Sequence, residues 1–551
     1  MKTIALITVY NPGCAGLRYI AGSLKAAGHD VHIISFKELR SESIPSADKE
    51  HHARLQGNRD VLFVKFPFPG KSVYVPYPTA ITEKEKEILV ETLRDSIKPD
   101  LIGFSLYSVT YEICRQLTSY IREHLPGIPI IWGGLHCIMA PHECIDTADI
   151  VCTGEGEDAT VELMQRWEEY IRKGRLDIAG LWFRTRMGEI VKNPERPLIE
   201  DLNRLPYPVY GEKEILIEDD AANDKMNRPG PFLNAHVYTF TERGCPYKCS
   251  YCIHSLLNRE GHARFRRRSV DNVMGEVRDL VERLGMRHLV FHDEIFVIDK
   301  KWITEFADKF REQFHKPHGC TFTGYVHPLT TTPEILDMMF HAGHTRVGMG
   351  IQSGSGRVNT DIFDRKWCPK ETIEMARLLS RYDFETIQYD LIVNNPFETE
   401  EDMRQTFEFL MNFPPPFSPV LFGLVVYKYS TLSQRPLPEN PPDAGTNLFY
   451  NMLYHLTGSR ILSRPTIEAL SRDPHLRREP ELLESLALDI TNAETSLNEA
   501  RRQAGHMKDE IGRMEAWIKE HEPENYALKD ALKSKFKRLL FPLVKDREEQ
   551  R

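Results

Sequence analysis

Three cysteines lie within eight residues, in the run Thr-Glu-Arg-Gly-Cys245-Pro-Tyr-Lys-Cys249-Ser-Tyr-Cys252, spaced C-x3-C-x2-C. Thiolates this close can each hold one iron of a four-iron cluster. The next cysteine, Cys320, comes 68 residues later. A [4Fe–4S] cluster ordinarily takes four thiolates, so three leave one iron open to a small molecule. An open metal position marks a catalytic site rather than a structural one. Two plainer chemistries compete on spacing alone. In one, the thiols form part of a zinc site completed by His254, two residues past Cys252. In the other, they belong to a disulfide framework, which a 551-residue chain with 10 Cys and no recognisable secretion signal disfavours.

The cysteines need a frame. From about Ala235 to Val426 strands and helices alternate, with strands expected at Val237–Phe240, His288–Phe291, Thr321–Tyr325, Arg346–Ile351, Thr386–Val393 and Leu421–Val426. Six such strands predict a partial (β/α)6 barrel with the cysteine loop after its first strand. Catalytic loops sit at the carboxyl ends of barrel strands. That gathers His292-Asp293-Glu294, the run Gly350 to Ser355 and the run Asn394 to Thr399 around one mouth. Tyr325, His327 and Tyr389 are either pocket lining or barrel packing.

The N-terminal third also alternates. Residues 3–9 form a continuous apolar run, as in a central parallel strand. A helix over Gly16 to Ala27 follows, then strands at Val31–Phe36, Leu101–Leu106, Ile128–Trp132 and Asp149–Cys152. This predicts an α/β, doubly wound, Rossmann-like sheet. Such sheets bind ligands at their strand ends, here Asn11-Pro12-Gly13, Ser105-Leu106-Tyr107-Ser108, Gly133-Gly134-Leu135-His136 and Thr153-Gly154-Glu155-Gly156-Glu157. Glycines there let backbone approach a large ligand. Without a ligand, they would simply make turns.

The cysteine motif, with Tyr251 before its last cysteine, resembles that of the radical S-adenosylmethionine (SAM) enzymes. The N-terminal strand ends resemble the cobalamin-binding (B12) domain that precedes many radical SAM domains. The resemblance implies a [4Fe–4S] cluster on Cys245, Cys249 and Cys252, with SAM chelating the open iron. Asp293, Glu294, Gln352 and Ser353 fall in segments that contact SAM in that family, with Gln352 in place of the commoner Glu. Asn11, Ser105, Tyr107, Gly133, Gly134, Gly154, Glu155 and Gly156 fall where cobalamin is held. The loop after the first strand lacks the D-x-H-x-x-G motif whose His ligates cobalt; His136 is a candidate substitute. Asn-Asn-Pro-Phe-Glu-Thr resembles the family's G-x-P-G-E-T, with Asn394 and Phe397 replacing both glycines, so Phe397 is a candidate substrate contact. Arg266, Arg267 and Arg268 resemble a basic segment expected to make structural pairs. The resemblance implies a cobalamin-dependent radical SAM methyltransferase: one SAM methylates cobalamin, and a second supplies the radical that activates the substrate. Ring formation or rearrangement without methyl transfer, or a non-catalytic sensor, are the alternatives.

The implied domains are 1–160 (cobalamin), 161–234 (helix, strand pair and proline-rich linker), 235–430 (barrel) and 431–551 (helical). Residues 40–80, with His51 and His52, form an aromatic, proline-rich insertion. A heptad seam runs from Leu483 to Ile518, suiting a homodimer or a helix packed on its own barrel. The basic, apolar stretch 526–541 suits peripheral contact with an anionic membrane, or a solvated helix. A net charge of −9 argues against nucleic acid. No run approaches the ~20 apolar residues of a membrane span. The expected setting is cytoplasmic, with a low-potential flavodoxin- or ferredoxin-type electron donor and a small-molecule or lipid-linked substrate.

Overall fold

The computed structural model describes residues 1–38, 81–218, 220–427, 430–494, 496–497, 500 and 503. The insertion with His51 and His52, the later heptads and the basic stretch 526–541 lie outside them.

The first sheet has nine strands, in the order β7-β6-β5-β4-β3-β1-β2-β8-β9. Its centre is β1 (Thr3–Tyr10), β2 (Asp30–Glu38), β3 (Leu101–Ser105), β4 (Ile130–Gly133) and β5 (Ile150–Cys152), all parallel. β1 is buried along almost its whole length, as a strand covered on both faces must be. The reversal of order about β1 makes the crevice at its carboxyl end the ligand position. Sequence reading missed how the linker extends this sheet. The expected strand pair, β6 (Leu181–Arg184) and β7 (Ile190–Lys192), adds antiparallel to β5. At the opposite edge β8 (Glu214–Glu218) joins β2 in parallel, and β9 (Ala221–Asn223) closes that side. The helix expected after β5 is two helices, Gly156–Gln165 and Trp167–Lys173, broken at Arg166.

The second sheet is parallel throughout and in sequence order: β12 (His288–Val290), β13 (Thr321–Tyr325), β14 (His344–Gln352), β15 (Thr386–Val393) and β16 (Ser418–Gly423). The strand expected at Val237–Phe240 is reduced to one bridge, Thr239 to Phe291. A helix over Pro231–His236, with proline at its start, uses the preceding residues and leaves little chain to pair. A short ladder, β10 (Glu242–Arg243) with β11 (Arg266–Arg267), roots the cysteine loop. Helices over Val270–Glu282, Lys300–Phe310, Pro333–His341, Pro369–Leu379 and Glu400–Leu410 cover the barrel's outside.

The first heptads pack on their own chain. Leu483 and Ala487 are buried in the barrel-side core, and Leu486 and Ile490 lie against it.

Candidate functional site

The cysteine loop is held at each end and in its middle. At its root, Asp293 accepts from Thr241 N–H at 2.6 Å and Thr241 Oγ1 at 2.5 Å. Glu242 accepts from Ile295 N–H at 2.9 Å. Gly244 has φ +80°, and a Cβ there would sit 2.5 Å from Arg264 O, so the turn into Cys245 needs glycine. Asn258 donates to Cys245 O at 2.5 Å. Ser250 binds Phe363 O through its N–H at 2.8 Å and Ile362 O through its hydroxyl at 2.6 Å. The Tyr251 ring meets Phe363 edge-on at 4.7 Å.

Burial pushes the thiol of Cys245 up to about 12 and that of Cys252 to about 11. Iron binding therefore has to displace protons here. Among the described residues, no three His, Cys, Asp or Glu side chains close on one point as a single zinc ion requires. His254 is instead paired with Glu294, Nε2 to Oε1 at 2.7 Å. Thiols spread along one loop, with no fourth protein ligand among the described residues, fit a cluster whose irons are separate.

The remaining mouth residues divide by what they touch. Asp293 is buried, and Thr241 takes up its carboxylate. Glu294 lies beside the cysteines with His254. Gln352 ends β14 with φ +70°, just past a register shift against β15. Ser353 is buried against Glu398 at 3.4 Å and Thr406 at 3.1 Å, so it braces the loop. Asn394 takes φ +53°, as its glycine-like place requires. Phe397 does not face an open pocket: it is buried with Val358, Ile362, Phe363 and Leu432, beside Tyr251. Arg365 was not singled out from sequence. Its Nη2 donates to Gly350 O at 2.9 Å. Burial opposes its charge, but Tyr251 and Cys249 beside it more than compensate and hold it above its ordinary value.

The barrel interior is polar. Tyr325, Gly348 and Gln388 are in lateral register on β13, β14 and β15. Tyr325 reaches across Gly348, and Gln388 Nε2 donates to its hydroxyl at 2.8 Å and to Asp390 Oδ1 at 2.6 Å. His327 stacks on Tyr247 of the cysteine loop at 5.5 Å. Tyr389 is packing, enclosed by Phe413 and Phe417. A Cβ on Gly348 would lie 2.7 Å from the Tyr325 ring. Gly348→Ala should therefore cost about 1–3 kcal/mol by overpacking. Adding Tyr325→Ala should return most of it in a double-mutant cycle read by urea unfolding; additive losses would refute the contact.

Glu242 and Asp293 face each other beside Arg267. Burial first, then the neighbouring carboxylate, raises Glu242; burial raises Asp293. Because both folded values are raised, their contribution to stability is full below the ordinary carboxyl values of 4.5 and 3.8 and fades as pH rises through the folded values. Glu242→Gln keeps an acceptor for Ile295 and should flatten that fall. Urea midpoints at acid and alkaline pH check it; an unchanged slope would remove Glu242 as its source.

The loop after β5 is bonded to the root of the cysteine loop, Glu155 and Glu157 accepting from Arg243. Asn11 Nδ2 donates to the Tyr107 hydroxyl at 3.4 Å, and Cys14 Sγ to Ser105 Oγ at 3.4 Å. A Cβ on Gly154 would meet nothing within 4 Å, so it borders open space, and one on Gly133 would make only an ordinary contact with Cys152 at 3.6 Å. Gly134 and Gly156 are packing glycines, against Leu106 and against Ile20 and Cys152. These strand ends, edged by small residues and open at Gly154, form the cradle in which cobalamin is expected, with backbone free for close approach. Glu155, expected in that cradle, has its carboxylate taken up by Arg243 and Arg266. His136 binds Ser108 Oγ at 3.0 Å and packs on Tyr111. Tyr427, just past β16, lies in electrostatic reach of Tyr107 on one side and Cys252 on the other.

Residues 240–410 match the radical SAM superfamily, and residues 76–164 match the B12 binding domain. The chain thus carries a B12 binding domain followed by a radical SAM domain. The radical SAM domain implies a [4Fe–4S] cluster and SAM, and the B12 binding domain implies cobalamin. An uncharacterized methyltransferase of Pyrococcus horikoshii is 25% identical over 56% of this chain and 64% of its own length. An anaerobic magnesium-protoporphyrin IX monomethyl ester cyclase of Cereibacter sphaeroides is 24% identical over 60% of this chain and 52% of its own. The match thus spans between half and two thirds of these relatives. The radical SAM methyltransferase TsrM of Kitasatospora setae, solved with cobalamin and a [4Fe–4S] cluster, shares the fold. Its TM-score is 0.54 at 16% identity, over 78% of this chain and 74% of that one.

Proposed function

We propose that this B12-binding radical SAM protein is a methyltransferase acting on an unactivated carbon or phosphorus centre. The observation that carries the reading is the joining of the two sites. Glu155 and Glu157, on either side of Gly156, bond Arg243 two residues before Cys245, and Tyr107 and Cys252 both lie in electrostatic reach of Tyr427. When bound, cluster and SAM supply a 5′-deoxyadenosyl radical, and cobalamin supplies a methyl group. The chain's own residues have simpler tasks. Cys245, Cys249 and Cys252 hold three irons and leave the fourth to SAM. Glu294 and Gln352 are placed to accept hydrogen bonds from SAM's donors. Asn11, Ser105 and Tyr107 edge the cobalamin cradle. Tyr325, Gln388 and Asp390 give the interior a polar floor, which favours a small substrate with a hydrogen-bonding end over a lipid tail.

A ring-forming radical reaction is the second reading, supported by the likeness to the cyclase. Anaerobic reconstitution with iron, sulfide and hydroxocobalamin, then turnover with CD3-labelled SAM, separates the two. Four irons and one cobalt per chain, with CD3 in the product, supports methyl transfer. Product without label, at full cofactor loading, supports ring formation. Iron without cobalt removes cobalamin chemistry altogether. The electron donor would be of flavodoxin or ferredoxin type. No described helix is long and apolar enough to cross a membrane.

A further inference from the structure

The loop that borders the cobalamin cradle and the loop that carries the cluster cysteines are joined by enclosed charge. Arg243 stands two residues before Cys245. Its Nη1 donates to Glu155 Oε1 at 3.1 Å and its Nη2 to Glu157 Oε1 at 2.5 Å. Arg266 donates through Nη1 to Glu155 Oε2 at 2.9 Å and through Nη2 to Glu155 Oε1 at 2.8 Å. Arg243 and Arg266 are paired residues of the β10–β11 ladder, so both guanidinium groups leave one rigid unit and meet on one carboxylate. Ile199 N–H gives Glu155 a further bond at 2.8 Å, and the Tyr19 ring lies 5.3 Å from the Arg243 guanidinium.

Two cations and two anions balance here. Side-chain exposures are 23% for Arg243, 14% for Glu155, 5% for Glu157 and 6% for Arg266. Another charge pair at this junction, Arg204 with Asp158, is far more exposed, at 48% and 35%. Exposed pairs hold little, whereas an enclosed, bidentate network fixes geometry. Glu155 and Glu157 alternate with Gly154 and Gly156. The carboxylates that anchor this loop therefore stand next to the glycine that opens the cradle.

We propose that Arg243 is a positioning residue that makes the cobalamin-bordering loop and the cluster loop one mechanical unit, so that loading of one cofactor site tightens the other. The inference rests on the two-cofactor reading above. By linkage, a cluster that fixes the Cys245 loop rooted on Arg243 must raise cobalamin affinity by the same factor that cobalamin raises cluster retention. The full chain, with and without its cluster, is titrated anaerobically with hydroxocobalamin and followed by cobalamin absorbance. The wild type is expected to bind on the order of 10-fold more tightly when the cluster is present. Arg243→Gln should lose that ratio while keeping its iron and its far-UV spectrum, and Arg243→Lys should restore part of it. In the loaded enzyme, broadening of the reduced cluster's EPR signal by cob(II)alamin should weaken in Arg243→Gln. Should Arg243→Gln not fold, Glu157→Gln removes one arm and leaves Glu155 with Arg266. An unchanged ratio in the variants overturns the proposal. So does an affinity loss that is equal with and without the cluster, since that marks a merely structural pair. A wild type that takes no cobalamin brings down the two-cofactor reading and the coupling with it.

Discussion

Replacing Cys245, Cys249 or Cys252 singly by Ala is expected to take 5′-deoxyadenosine formation below detection, with the chain still folded. In the proposed site each thiolate would hold a different iron, so the loss of any one would leave a second iron open and the cluster incomplete. Folding should survive because the loop's shape does not depend on sulfur. Asp293 fixes Thr241, Ile295 fixes Glu242, Arg264 packs on Gly244, and the Ile362 and Phe363 carbonyls fix Ser250. Cys368 is the informative control. It starts the helix Pro369–Leu379, close to Arg365 and Tyr247, but it does not lie on the cysteine loop. Cys368→Ala should keep its iron and its SAM cleavage. Iron and sulfide analysis, EPR of the reduced protein and chromatography of 5′-deoxyadenosine check all four variants. Cleavage that survives in all three loop variants would remove the cluster from this loop.

Much of this was legible in residue order because the signals are local. Apolar runs gave β1, β13 and β15 nearly to the residue, and a spacing of three cysteines named the metal chemistry. Junction residues were less legible, because their partners are far apart in sequence. Glu155 reads as one more polar group in a glycine loop, yet its partners are 88 and 111 residues away. Arg365 carries no motif and matters only because the helical turn after Ser355 returns it to Gly350 and Cys249. Phe397 is displaced from its expected role by a local apolar cluster that forms only when the 358–363 turn and Leu432 meet. The edge strand β8 was missed because it follows a proline-rich connector and completes a sheet begun some two hundred residues earlier.

That edge strand supports the second large effect, because Arg18 secures it. Arg18 is 1% exposed and lies on the helix Ala15–Ala26. It donates to both oxygens of Glu214, at 2.9 and 2.7 Å, and Glu214 begins β8. The same guanidinium binds Pro12 O at 3.2 and 2.6 Å and Val209 O at 2.7 Å. It therefore joins the loop after β1, the linker and the sheet edge. Tyr210 lies 4.3 Å beneath it, and the Tyr210 hydroxyl donates to Tyr238 O at 3.1 Å, at the barrel's first segment. Arg18→Ala leaves Glu214 buried without its cation, with only the Gly211 N–H at 2.7 Å to bond its carboxylate, which should cost about 3–5 kcal/mol. Arg18→Met with Glu214→Leu removes both charges and should recover part of that loss, less the cost of leaving Pro12 O, Val209 O and Gly211 N–H without these bonds. Urea unfolding of the three proteins, followed by far-UV signal, gives the comparison. The loop after β1 carries Asn11, proposed above to edge the cobalamin cradle, so Arg18→Ala should weaken cobalamin binding at urea concentrations well below its unfolding midpoint, whereas the double variant, which still lacks the bonds to Pro12, should regain stability and not affinity. If stability and affinity return together, Pro12 is held by packing alone, and the guanidinium serves only to neutralise Glu214.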